Sequence, residues 1–327
     1  MKIKLAKYTS IGGQALIEGI MMKHPQKKTA LAVRKADKTI DISYINDKSI
    51  KDKYAIFRLP IIRGVVAYVE AMIQGYKAMM KSADISGFTD LEQDEKPKDP
   101  KKESAISTVI MTVGTILGIA LAVILFLGIP RYVVQGLEWL KGFEFSKIIR
   151  SSIEQLIKLT VLVLYMWLVS FMPDIRRVFS YHGAEHKTIF CYEAGLSLTV
   201  ENVKRQKRFH PRCGTSFLIL MILVSVIVST LVQMIFPSVY DIAWAWIMVK
   251  ILMLPIICGI GYEVLKLCGK YDNILTKIIS APGMWLQRIT TKEPDDDMIE
   301  VAIAALKACD EIIDSTDGEV SDEQNNI

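Results

Sequence analysis

Cysteine and histidine are scarce in this chain: five and four among 327 residues. The cysteines (Cys191, Cys213, Cys258, Cys268, Cys309) are odd in number and share no repeated spacing, which argues against a disulfide framework and predicts reduced thiols. The basic N-terminus MKIKLAKYTS has no apolar core of signal-peptide length behind it, so no cleavage and export are expected. Charge is also missing over long stretches, and Ala105 to Gly128 carries none for 24 residues. At about 1.5 Å of helix per residue, that run crosses a hydrocarbon core of about 30 Å. Hydrophobic residues make up 51% and charged residues 23%. Both can be that abundant only if they are segregated along the chain, and here they are. The chain reads as a membrane protein.

From Glu293 onward there are twelve acids against one base, Lys307, so the net +5 of the whole chain leaves residues 1–292 with +16. A basic body suits an anionic lipid surface on the cytosolic side. Three further apolar runs are read as spans at about 153–172, 216–236 and 250–268. Arg150, Glu154 and Lys158 follow one another at i,i+4 before the second run, and are read as an interfacial entrance with Lys158 snorkelling outward. Starting the last span at Lys250 places Trp244 and Trp246 in an aromatic belt. It also avoids an unpaired mid-bilayer lysine, which costs at least about 2.5 kcal/mol. The basic residues of 173–213 put that loop and both termini in the cytosol.

The expected architecture is an α+β membrane protein: a small β-rich N-terminal cytosolic unit, then an all-α membrane domain of about four transmembrane helices. Residues 1–89 hold the β-rich unit and an amphipathic helix, 90–104 a charged linker, and 105–289 the membrane domain with a cytosolic loop at 173–213. Residues 290–313 form a C-terminal helix and 314–327 an acidic tail. Strands are expected at 14–22, 29–34, 39–44 and 54–62, with a hairpin turn at 35–38. The apolar spacing over 64–81 predicts a helix that packs on the β unit or lies in the inner leaflet. Ser280–Ala281–Pro282–Gly283 is expected to interrupt helical structure.

Three of the four histidines lie in the central loop. In Tyr181-His182-Gly183-Ala184-Glu185-His186 two imidazoles stand four residues apart, with a carboxylate before the second. At about 100° per residue, Glu185, His186 and Glu193 all fall within about 60° of His182 on a helix. Such imidazoles can ligate one zinc-like ion while the carboxylate accepts a proton from water, the logic of H-x-x-E-H, the inverted zinc-protease motif. His210 and Cys213 supply a further imidazole and thiol before the third span. Four such donors would close a structural site, and three would leave a position open for catalysis. Glu263, late in the fourth span, is a distant carboxylate ligand or simply a cap at the membrane exit. The competing reading of the whole cluster is a basic loop whose histidines bind lipid phosphate, and Gly183 costs a helix about 1 kcal/mol. At the other end, Gly12-Gly13-Gln14-Ala15-Leu16-Ile17-Glu18-Gly19 puts Gln14 and Glu18 on one face of a glycine-bounded strand. The lysine and hydroxyl residue of a phosphate loop are missing.

The blocks GGQALIEGIMMK, RLPIIRGVVAYVEAM, YHGAEHKTI, RFHPRCGTSFL and PGMWLQRITTKEPDDDMIEVAIAAL occur in this order. Together they resemble the YqhQ family of bacterial membrane proteins, over nearly the whole chain to about residue 312. The resemblance implies a predicted metal-dependent enzyme with a site at His182, His186, His210 and Cys213, and it raises Gln14 and Glu18 to contributors to a shared site.

The functional expectation is an integral membrane, metal-dependent enzyme, a hydrolase at the cytosolic face. Its cofactor would be a divalent metal, zinc by donor type, with Glu185 as general base. Its partners would be membrane lipids and a membrane-associated substrate or protein. The basic loop lacks the interleaved aromatics of a nucleic-acid binder, and no oligomeric state is read from the residues. The alternative is a non-enzymatic scaffold or regulator in which the same donors form a closed structural site. Transport ranks third, since Lys250 and Glu263 are the intramembrane charges and no inverted repeat is visible.

Overall fold

The computed structural model describes residues 9, 11–24, 28–46, 49–50, 54–87, 100–211, 213–271 and 273–319. Most of the 90–104 linker and the end of the acidic tail lie outside these residues. Strands β1 (Gly12–Leu16), β2 (Gly19–Lys23), β3 (Lys28–Arg34) and β4 (Ile40–Asn46) form an antiparallel meander in chain order. The single strand expected at 14–22 is two, because Ile17 and Glu18 make a two-residue turn with Glu18 at φ 49°. The 35–38 turn is present, and the Asp37 carboxylate accepts from the Thr39 amide at 2.9 Å. Residues 54–62 are not a strand. They form a single 3-10 turn (Ala55–Arg58) and a bend, consistent with Pro60 having no N–H to give a ladder.

Both faces of the sheet are covered. Leu16, Met21, Leu31 and Val33 pack on Ala78 of α1 (Ile62–Ser86). The alternate residues Ile20, Met22, Ala30 and Ala32 face a second core. This two-sided burial explains why β3 reads as a continuous apolar run rather than an alternation.

Helix α2 (Pro100–Val123) passes through a π turn (Ile124–Gly128) into α3 (Ile129–Lys141). There follow α4 (Lys147–Val169), α5 (Pro173–Glu193), α6 (Gly214–Ile235), α7 (Ala243–Lys270), α8 (Ile274–Thr290) and α9 (Asp296–Glu319). Among the described residues four helical stretches are long and apolar enough to cross a bilayer: Thr112–Lys141, Lys147–Val169, Gly214–Ile235 and Trp244–Cys268. The 173–213 segment is mostly helix α5, packed with α9 against the sheet through Tyr181, Ala184, Ile299 and Leu306. The expected interruption at 280–283 is absent, and α8 runs through Pro282. It starts at an Asn273–Thr276 capping box, and Gly283 is held against Ser216 of α6.

The fourth apolar helix also differs from expectation. It begins before Lys250, with Trp246 buried within the bundle and Trp244 exposed. Lys250 is tolerated because it is paired: its Nζ lies 3.1 Å from Oε2 of Glu154, itself buried on α4. Arg150, one turn earlier, lies 3.5 Å from Glu138 of α3. The charged i,i+4 row therefore turns into the bundle rather than toward headgroups, where opposite charges offset one another.

Glu154→Ala, which strands the Lys250 ammonium, is expected to lower stability by about 3 kcal/mol. Glu154→Gln combined with Lys250→Met should recover most of that loss. Thermal unfolding of the detergent-solubilised protein reads both effects, and an unchanged Tm in Glu154→Ala would show that the pair contributes nothing.

Candidate metal centre

Helix α5 leaves the second apolar helix at Pro173 and carries His182 and His186 one turn apart, their ring centroids 4.4 Å apart. Cys213 is the N-cap of α6, its sulfur accepting from the Thr215 amide at 3.4 Å. These elements bring the donors of His182, His186 and Cys213 within 4.8 Å of one another, a group that could hold a metal ion.

Each imidazole is oriented from behind. His182 Nδ1 is 2.9 Å from the Thr290 carbonyl and His186 Nδ1 is 2.5 Å from the Arg208 carbonyl. A carbonyl only accepts, so each Nδ1 carries the proton and each Nε2 keeps its lone pair. His182 Nε2 lies 3.0 Å from Cys213 Sγ, and a donor nitrogen of His186 lies within 4.8 Å of the same sulfur. One thiol proton cannot serve two imidazole lone pairs, whereas a borderline-soft cation satisfies all three donors. The N,N,S donor set fits a zinc-like ion.

Burial alone raises the Cys213 thiol, but His186 and the hydroxyl and amide of Thr215 outweigh it, so its pKa is lowered. Burial, then the neighbouring His182, lowers His186, which favours the neutral imidazole that a metal requires. Glu185 is buried one residue before His186, and burial pushes its carboxyl up to about 7 against the opposing effect of His182, with Cys213 adding to the rise. The backbone of Gly13 on β1 opposes the rise, favouring the charged carboxylate. A Cβ on Gly13 would stand 2.8 Å from the Glu185 carboxyl carbon, so β1 and α5 meet at this point. A cavity of about 420 Å3 opens here, bounded by the Gly12–Ala15 strand, His182, Glu185 and Cys213.

The other residues singled out from sequence lie outside the three-donor group, Gln14 and His210 still lining the cavity. His210 is not among the three convergent donors. Its Nε2 is 4.0 Å from Glu193, whose other oxygen accepts from the amide and hydroxyl of Thr9 at 3.2 and 3.0 Å. Gln287 fixes the His210 backbone, with bonds of 2.8 Å to both its amide and its carbonyl. Glu18 pairs with Arg177 (2.5 Å to Nε) and accepts from the Tyr181 hydroxyl at 3.2 Å. Gln14 lines the cavity with its amide against Gly75 of α1. Glu263 is bound by Arg63 in a two-pronged pair that ties α1 to α7. The carbonyls of Thr290 and Arg208 carry no residue-type signal, and sequence reasoning missed them. Thr215 was within reach, two residues past a helix-capping thiol.

Gly183 explains why α5 accepts a glycine. The chain between α8 and α9 crosses α5 there, the Lys292 amide bonding to Phe179 O at 2.8 Å. A Cβ at position 183 would stand 2.0 Å from the Lys292 carbonyl oxygen. Gly183→Ala should therefore destabilise the protein by about 1–3 kcal/mol, although alanine is the better helix former. Gly136→Ala, where a Cβ meets nothing within 4 Å, is the control that should not. Equal unfolding temperatures for the two variants would contradict the crossing.

Residues 59–311 match the family model described as a protein of unknown function, DUF1385. The uncharacterized protein YqhQ of Bacillus subtilis (strain 168) is 36% identical over 299 residues, covering 90% of this chain and 90% of the relative. No solved structure matches.

Proposed function

This chain belongs to the DUF1385 family, whose description names no reaction, and from the geometry of the donor cluster we propose that it is an integral membrane, metal-dependent hydrolase acting at the cytosolic membrane face. The observation that carries the reading is the convergence of His182, His186 and Cys213 beside a cavity, with the buried Glu185 carboxyl on the same wall. Three protein donors with a cavity alongside is the pattern of catalytic zinc sites, while structural sites close with four. A divalent ion held here would supply Lewis-acid polarisation. His182 and His186 would bind it through Nε2, and Cys213 as thiolate. Glu185 would hold and hand on the proton of the attacking water, and a carboxyl that ionises near neutrality suits that work. Thr290 and Arg208 would keep the rings in place through their carbonyls. The cytosolic assignment rests on the basic residues of 173–213.

A closed structural centre in a scaffold is the second reading, favoured by the proximity of His210 to His186, ring centroids 5.5 Å apart. Elemental analysis of the purified full-length protein separates the two. The native chain should hold about one zinc; His182→Ala, His186→Ala and Cys213→Ala should lose it; and His210→Ala should keep it. Loss in His210→Ala, with a cobalt-substituted spectrum showing four protein ligands, would support the scaffold and overturn the enzyme. Glu185→Gln should keep the metal and lose at least about a hundredfold in turnover of whichever substrate the native protein hydrolyses. Metal loss in that variant would remove Glu185 from the role of base.

A further inference from the structure

Among the described residues, strand β1 is the outer strand of the sheet, paired with β2 alone. In an antiparallel pair, opposed residues alternate between exchanging both ladder bonds and exchanging none. Leu16 and Gly19 close a two-residue turn and must exchange theirs, so Gln14 and Gly12 also bond toward β2. Gly13 and Ala15 consequently aim their N–H and C=O groups away from the sheet. Glu185 stands against Gly13 on this side, its carboxyl carbon 2.8 Å from where a Cβ would lie.

Proteins normally blunt such an edge with lysine, proline, a bulge or a covering element. The sequence of β1, GGQAL, has no charge and no proline. The cavity beside the donor cluster runs along this edge. Gly12–Ala15 line it, together with Ala71 of α1, Phe179 of α5, Cys213 and Thr215. Gly12 and Gly13 are exposed and carry no side chains, so another backbone can approach them directly. No lysine or arginine is among the described lining residues, and the charged group present is the Glu185 carboxyl.

We propose that the substrate is an extended polypeptide segment, seated as an added strand on the outer edge of β1. This rests on the hydrolase reading above and adds to it the substrate class. The Gly13 carbonyl and the amide and carbonyl of Ala15 hold the segment in register, and register carries its backbone past Glu185 to the donor cluster. Hydrolysis adds the oxygen of water to the scissile carbonyl carbon and breaks the C–N bond. One proton of that water ends on the leaving amine, and Glu185, touching both strand and cluster, is the group positioned to move it.

The test uses the full-length Glu185→Gln protein in lipid nanodiscs, zinc-loaded, with pools of fluorescein-labelled decapeptides blocked at both ends and read by anisotropy. Binding is expected, and N-methylation along a bound peptide should weaken it about tenfold at alternate residues while sparing those between, the signature of strand addition. Ala15→Pro, which removes an outward N–H without touching the β1–β2 ladder, should weaken binding about tenfold with zinc content unchanged. The N-methyl series needs no change in the strand and decides the matter if that variant does not fold. Absence of binding from every pool, no two-residue period, or binding of short-chain phosphatidylglycerol in place of peptide would overturn the assignment. Zinc content on the same samples separates the failures: native protein without zinc removes the hydrolase reading itself, whereas one zinc with no peptide binding removes the substrate class alone.

Discussion

The main-chain crossing at Gly183 is the constraint on which the donor cluster depends. A carbonyl oxygen of the 290–294 connection occupies space that any side chain at 183 would need. That closeness lets the Thr290 carbonyl reach His182, fixes the tautomer of its ring, and sends the chain onward into α9. Helix α9 then covers the sheet face that bears Ile20 and Met22. Lys187, buried one turn beyond Gly183, is held over the same connection by Glu293 and the Lys204 carbonyl. One missing Cβ thus joins an imidazole of the donor cluster, the sheet's second core and the last helix into a single arrangement.

Polarity inside the apolar helices follows a different rule. Glu154 and Lys250 neutralise one another, Ser225 donates to Gln155 at 3.3 Å, and Gln233 reaches the Lys147 carbonyl at 3.3 Å. These contacts lie from the middle of α6 toward its C-terminal end, while Cys213 sits at its N-terminus. The two polar regions are separated along the helix, so the charges in the bundle are best understood as interhelical fastening.

The membrane character and most of the helices were legible because hydropathy and charge segregation are properties of residue type alone. His182, His186 and Cys213 were legible because donor chemistry and i,i+4 spacing survive translation into space. His210 stands apart from the three convergent donors for a geometric reason. It lies three residues from Cys213, but Gln287 clamps its backbone so that the ring faces Glu193. Lys250 was misplaced because its partner is 96 positions away in the chain, and pairing at that separation leaves no local mark. The 14–22 strand hid a turn because it lacks the Asn-Gly or Asp-Gly signature, and Glu18 takes up a positive φ steadied by Arg177 and Tyr181. The interruption expected at Pro282 failed because tertiary contact of Gly283 with Ser216 outweighs local propensity.

Cys213 holds two posts at once. Its sulfur belongs to the histidine cluster and also receives the Thr215 amide at the start of an apolar helix, where the helix dipole favours negative charge. Oxidation or alkylation of that one atom would disturb the cluster and uncap the helix in the same event.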